Sequence, residues 1–135
     1  MQKITPFLWF DGNAEEAMNF YTSVFKDGKI LNIQRMSPDG PLFTGAFSIE
    51  GQEFMVLNGG PKYAFTPAIS LFVSCEDQSE IDHLWHQLTA DGAESRCGWL
   101  VDKFGISWQI IPKNLGSLLF NPDKEKAQKA MEAML

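Results

Sequence analysis

The run from Cys97 to Pro112, CGWLVDKFGISWQIIP, carries two tryptophans, an Asp-Lys-Phe-Gly turn and a single glutamine in an otherwise apolar strand. Side chains of an extended strand alternate between faces, so residues 107, 109 and 111 share one side and Trp108 and Ile110 the other. If the odd side lines a pocket, Gln109 brings to it one amide, both donor and acceptor. Trp9, Phe72, Trp99 and Phe104 are the candidate aromatic walls. Such an enclosure suits a small, flat or aromatic organic ligand oriented by few polar contacts. The plainer role for Gln109 is to satisfy a neighbouring backbone group. Asp102 and Lys103 in the turn read as a solvated pair rather than an acid and a base. His83 and His86 stand three apart and, at about 100° per residue, point away from the apolar stripe of their helix.

The bulk numbers narrow the field. A chain of 135 residues is one domain by size, long enough to bury roughly two-thirds of its unfolded surface. A net charge of −6 and a pI of about 4.8 would repel a phosphate backbone, so no nucleic acid partner is expected. Cys75 and Cys97 form no CxxC pair and no disulfide framework, which favours a reducing, cytoplasmic setting. Each reads as a structural thiol. No window approaches about 18 apolar residues, and the N-terminal run is too short for a signal peptide, so no membrane partner is expected.

The elements that must position these residues follow from caps, stripes and turns. Ile4 to Phe10 is a β-rich run, and Asn13-Ala-Glu-Glu16 a capping box opening a helix. Ala14, Ala17, Met18, Tyr21, Val24 and Phe25 form its apolar face, and Asp27-Gly28 ends it. Strands follow at Lys29 to Met36, Leu42 to Glu50 and Gln52 to Asn58, with Gly51 in a tight hairpin. Ala68 to Cys75 is again a strand, and Asp77-Gln-Ser-Glu80 a second capping box. Ile81, Leu84, Trp85 and Leu88 make that helix's stripe, which stops at Asp91-Gly92. Strands Gly98 to Asp102 and Ile106 to Pro112 close the unit. A last helix starts at Asn121-Pro122, with Ala127, Ala130, Met131 and Met134 as its apolar stripe.

The second half repeats the first. A shift of 64 residues lays Asn13 on Asp77, Glu16 on Glu80, Tyr21 on Trp85 and Asp27-Gly28 on Asp91-Gly92. Cap, core face and stop signal agree in register together, and a repeat dictates the fold. The expected class is α+β: two βαβββ modules, 1–61 and 62–120, followed by a C-terminal helix, 121–135. One helix covers one sheet face only. Two modules side by side would therefore form a continuous, curved sheet with a concave cup inside, and the strands should be apolar on both faces.

The paired βαβββ pattern resembles the vicinal oxygen chelate superfamily, which holds glyoxalase I, bleomycin-resistance proteins and extradiol dioxygenases. TPFLWFDGNAEEAMNFYTSVF and WLVDKFGISWQIIP are similar, more narrowly, to the PhnB-like group, also labelled the 3-demethylubiquinone-9 3-methyltransferase domain. In metal-using members of the superfamily, ligands enter the cup from the first and last strands of each module. The last-strand ligand matches the fourth residue after the hairpin glycine, which the resemblance puts at Gln109 after Gly105 and at Met55 after Gly51. A thioether has no affinity for hard divalent ions. Ile4 to Phe10 has no His, Asp or Glu, and Ala68 to Cys75 offers Ser70, Ser74 and Cys75 alone. A Zn²⁺ or Fe²⁺ site wants three or four strong ligands, so no catalytic metal and no cofactor is expected.

Three functions follow from the resemblance and the residues. The first is a dimeric small-molecule binding or sequestering protein, with Gln109, Trp9, Met55, Ser70, Phe72, Trp99 and Phe104 as ligand-binding candidates. The second is a metal-dependent lyase or dioxygenase. The third is an interaction module using Pro122 to Leu135 as a docking arm. The methyltransferase label finds little support, because no Gly-rich GxGxxG turn for a nucleoside cofactor is present.

Overall fold

Two short apolar strands, each leading directly into an amphipathic helix, set the plan. The computed structural model describes residues 2–115 and 122–134, and their contacts divide the chain into two units, Met1–Ala64 and Phe65–Leu135. No helix among the described residues is long and apolar enough to cross a membrane.

In the first unit β1 (Phe7–Phe10) leads to α1 (Ala14–Val24), then β2 (Lys29–Arg35), β3 (Leu42–Ile49) and β4 (Gln52–Asn58). The sheet order is β1-β4-β3-β2, with β1 parallel to β4 and the other pairs antiparallel. Ala14, Ala17, Met18, Tyr21 and Val24 are buried at helical spacing. Tyr21 stacks on Phe47, and Phe47 on Phe54. Gly45 admits Met18: a Cβ there would lie 2.8 Å from the Met18 methyl. α1 therefore covers the sheet face that holds Gly45, Phe47, Phe54 and Val56. The β3–β4 hairpin turns through Glu50 and Gly51, both at positive φ (49° and 79°), the conformation that matches strand twist in two-residue turns.

The capping box expected at Asn13 is not formed. Asn13 makes no side-chain cap bond. The Ala14 N–H instead donates to Asn58 Oδ1 at 2.9 Å, while Asn58 Nδ2 donates to the Leu42 carbonyl at 3.0 Å. The end of β4 thus caps the helix, because parallel pairing brings Asn58 beside Phe10 at the exit of β1.

The second unit repeats the plan: β5 (Ser70–Cys75), α2 (Gln78–Thr89), β6 (Ala93–Glu94), β7 (Trp99–Val101) and β8 (Ser107–Pro112), in the order β5-β8-β7-β6. Here the cap is present. Asp77 accepts from the Glu80 N–H at 2.8 Å, and Glu80 reaches one residue further back, to the Glu76 N–H at 2.7 Å. Asp27 and Asp91 both take positive φ (56° and 60°). The glycines after them leave no room for a side chain, since a Cβ at Gly28 or Gly92 would meet a backbone oxygen at 2.2 or 2.3 Å. The repeated Asp-Gly is a steric requirement in both modules.

Several boundaries differ from the sequence reading. β1 begins at Phe7, directly after Pro6, which has no N–H for a ladder, and β5 at Ser70, because the Ala68 and Ile69 N–H groups turn back to Thr66 Oγ1 and the Thr66 carbonyl. β6, a two-residue strand held on β7, escaped notice for want of any apolar run. Burial on both faces holds for β8, whose first five residues are buried. It fails for β4 and β5, where Met55 and Phe72 are 39% and 45% exposed. The strands hydrogen-bond as two four-stranded sheets rather than one continuous sheet. The last helix, α3, spans Lys124–Met134. Its cap is Asp123, whose Oδ1 accepts from the N–H of Glu125, so Pro122 precedes the helix. Asn121 and the side chains of Ala130, Met131 and Met134 lie outside the described residues.

Candidate functional site

The β7–β8 hairpin is built on a buried carboxylate. Asp102 is 3% exposed. Its Oδ1 accepts from the Phe104 and Ile106 N–H groups at 2.9 and 3.1 Å, and its Oδ2 from Trp108 Nε1 at 2.8 Å. Gly105, at φ 93°, closes the turn. The expected solvated Asp102–Lys103 pair is therefore corrected. The backbone N–H groups of a tight turn converge on one acceptor, and only a carboxylate can serve them and the indole together. The Asp-x-Phe-Gly-x-x-Trp pattern is a structural clasp, with Gln109 as the next residue in the strand.

Strand alternation sends Trp108 and Gln109 to opposite faces. Trp108 and Ile110 share a face with Cys75 and Pro112, which line one groove with Ile81 of α2. Gln109 stands on the other face, paired with Phe72 on β5 and Trp99 on β7. Its Nε2 donates to Ser70 Oγ at 2.9 Å. Gln109 is 9% exposed and Ser107 2%, yet among the described residues neither Gln109 Oε1 nor Ser107 Oγ has a hydrogen-bond partner. A buried polar atom without a partner is destabilising by about 1–3 kcal/mol. Native structures hold few of these, and a ligand group is one explanation for them.

Of the sequence-derived candidates, the second module thus brings Gln109, Ser70, Phe72 and Trp99 together. Phe104 lies in the turn rather than in the ladder, with Lys103 Nζ 5.4 Å from its ring centroid. In the first module Met55 holds the place of Gln109 and pairs with Phe7, which is 50% exposed and was not among the candidates. The missed signal is an offset. The helices repeat at 64, but Phe10 falls on Cys75 and Phe7 on Phe72 at 65, because the turn into α1 is one residue longer. Trp9 is engaged otherwise: its Nε1 donates to the Gly60 carbonyl at 2.8 Å, and its ring meets Tyr63 edge-on at 4.9 Å. It anchors the segment after β4.

The histidines and cysteines lie elsewhere. His83 and His86 are exposed on α2. Cys75 and Cys97 are free thiols, the first buried and the second exposed. Burial pushes the Cys75 thiol up to about 11, with the Glu80 and Asp77 carboxylates adding to it. The groove of about 410 Å³ beside the α2 N-terminus is lined by Cys75, Glu76, Asp77 and Lys113. Lys113 Nζ sits 2.7 Å from Glu76 Oε2, within an acidic rim.

Neither a metal nor a nucleoside cofactor fits these residues. Among the described residues no group of three or more His, Cys, Asp or Glu could hold a metal ion. An amide, hydroxyls and a thioether are poor donors for Zn²⁺ or Mn²⁺. The strand-to-helix turns read Asp11-Gly12-Asn13 and Glu76-Asp77, not a glycine-rich phosphate cradle.

The model of the 3-demethylubiquinone-9 3-methyltransferase family matches residues 2–111. The chain belongs to that family. Among solved structures, the PhnB protein from Bacillus cereus is 43% identical over 82% of this chain and 99% of that one, with a TM-score of 0.76. The fosfomycin resistance protein FosX from Mesorhizobium loti is 13% identical over 90% of this chain and 99% of that one, with a TM-score of 0.62. FosX from Listeria monocytogenes, described in complex with Mn(II) and sulfate, is 11% identical over 80% of this chain and 89% of that one, with a TM-score of 0.53. The two FosX likenesses show a shared fold alone. No curated protein matches the chain. The resemblance drawn from the residues of the PhnB-like chain and its α+β, two-module class agree with these findings.

Proposed function

We propose that this PhnB-like protein binds a small organic molecule on the Gln109 face of its second module, without a catalytic metal, and acts as a cytoplasmic homodimer. The carrying observation is the buried, unpartnered Gln109 Oε1, held between Phe72 and Trp99 by the bond from Nε2 to Ser70. A purely structural glutamine would have both ends satisfied. Phe72 is 45% exposed and supplies a ring against which a flat ligand can stack. Met55 and Phe7 offer an apolar counterpart in the first module, and exposed Ile30, Leu31 and Phe43 support a second copy as cover. Two free cysteines support a reducing compartment.

A thermal-shift screen against metabolites and aromatic antibiotics tests this reading, since a ligand at about 100 times its Kd adds roughly 2.7 kcal/mol. A hit that loses its shift in Gln109→Leu but keeps it in His86→Ala supports the face. Gln109→Leu itself should melt close to the parent, because removing an unsatisfied buried acceptor offsets the lost bond to Ser70 Oγ. A hit indifferent to Gln109→Leu sinks the assignment. The Mn(II) of the Listeria protein makes a metal-dependent enzyme the rival; stoichiometric Mn, Zn, Ni or Fe in the purified protein would decide for it. Saturable S-adenosylmethionine binding would favour the methyltransferase of the family label. Sedimentation velocity tests the dimer.

A further inference from the structure

The strand register of the second module sorts its charges as well as its apolar groups. On the Gln109 face stand Ser70, Phe72, Trp99, Ser107 and Ile111, continued by Ser74 and Val101, all uncharged. The two acidic residues of β6 and the hairpin turn lie on the opposite side. Glu94 pairs with Leu100, on the Trp108 face, and bonds Trp85 Nε1 of α2 at 2.8 Å. Asp102 is bonded to Trp108 itself. Alternation thus leaves neutral polar groups alone at the described strand positions of the candidate face, in a chain whose net charge is −6.

We propose that this face takes uncharged planar ligands with a hydrogen-bonding edge of their own, of the carboxamide, lactam or phenol type, and turns away carboxylates, phosphonates and organic cations. The proposal rests on the ligand-binding reading above and names the ligand class. An ion brought onto this face would lose water and find no counter-charge among these strand residues, whereas a neutral donor exchanges one hydrogen bond for another. Ser70 Oγ accepts from Gln109 Nε2, which presents Oε1 as an acceptor. A serine hydroxyl can also donate, so a half-turn of the amide would present Nε2 instead. Either way the ligand meets an uncharged amide with the Ser107 hydroxyl two residues along the strand and an aromatic ring beside it. A carboxamide on a flat ring complements that arrangement with its own donor and acceptor.

Three probes of one shape test it: benzamide, benzoate and benzamidinium, titrated by calorimetry into the full chain, Gln109→Leu and Gln109→Glu. Benzamide should bind the parent at least about tenfold more tightly than either ion, and lose that binding in Gln109→Leu. Gln109→Glu keeps the shape and adds a charge, and should move the preference to benzamidinium by about tenfold. If benzoate or benzamidinium binds the parent best, and Gln109→Leu weakens it, the neutral class falls while the ligand face stands. If no probe shows binding that depends on Gln109, both readings fall. Should circular dichroism show Gln109→Glu unfolded, Ser107→Ala replaces it; benzamide affinity unchanged in both Ser107→Ala and Gln109→Leu overturns the proposal.

Discussion

Asp102 shows how much a single side chain can organise. Its carboxylate gathers two turn N–H groups and the Trp108 indole in a buried position. Asp102→Ala would strand those donors, and an unfolding titration should show a loss of about 3 kcal/mol or more. Asp102→Asn keeps one acceptor but turns an NH₂ group toward another donor, so its loss should fall between parent and alanine variant. Cys75 supplies a pH dependence. Its folded thiol is pushed up to about 11 from an ordinary 9.0, so between those values the unfolded chain releases a proton that the folded chain retains. Stability is therefore unaffected by this group at lower pH and falls as pH rises through that window. Cys75→Ala should flatten that part of the melting-temperature profile, and a profile unchanged by the substitution would remove the thiol from the account. Gln109 and Asp102 are close in sequence, yet Gln109 lies in its strand as expected while Asp102 is buried rather than solvated. Strand alternation is local, whereas the burial of a turn depends on what packs around it.

At the scale of elements the two modules share one plan and differ in how their helices begin. α2 carries its own cap in Asp77, while α1 takes its cap from Asn58 at the end of β4. Asn58→Ala should cost about 1–2 kcal/mol, and Asn13→Ala close to nothing, in paired denaturant titrations. Equal effects of the two substitutions would contradict the assignment. Helix faces were legible because a 3.6-residue stripe is a property of neighbours in sequence: Ala14, Ala17, Met18, Tyr21 and Val24 all lie buried. The cap acceptor was not, because Asn58 lies 44 residues from the N–H it serves. β2 shows the same limit from the other side. It reads as an ordinary strand, and all seven of its residues are exposed at the edge of the sheet.

For the whole molecule, chelation tests the proposed reading without a catalytic metal. A chelator should leave the melting temperature of the purified protein unchanged, because the described residues contain no cluster able to bind an ion tightly enough to stabilise the fold; a marked fall on chelation would reverse that conclusion. The sequence by itself determined the duplication, the α+β class and the identity of Gln109 as the amide in an apolar strand, because caps, stripes and turn glycines act over a few residues. Only the tertiary structure decided which side chains meet. The register of β1 on β4 put Phe7 beside Met55, the register of β5 on β8 put Phe72 beside Gln109, and the packed hairpin buried Asp102. Contacts between residues distant in the chain depend on strand pairing, and a one-residue change in a connecting turn is enough to hide the equivalent partner from a fixed sequence offset.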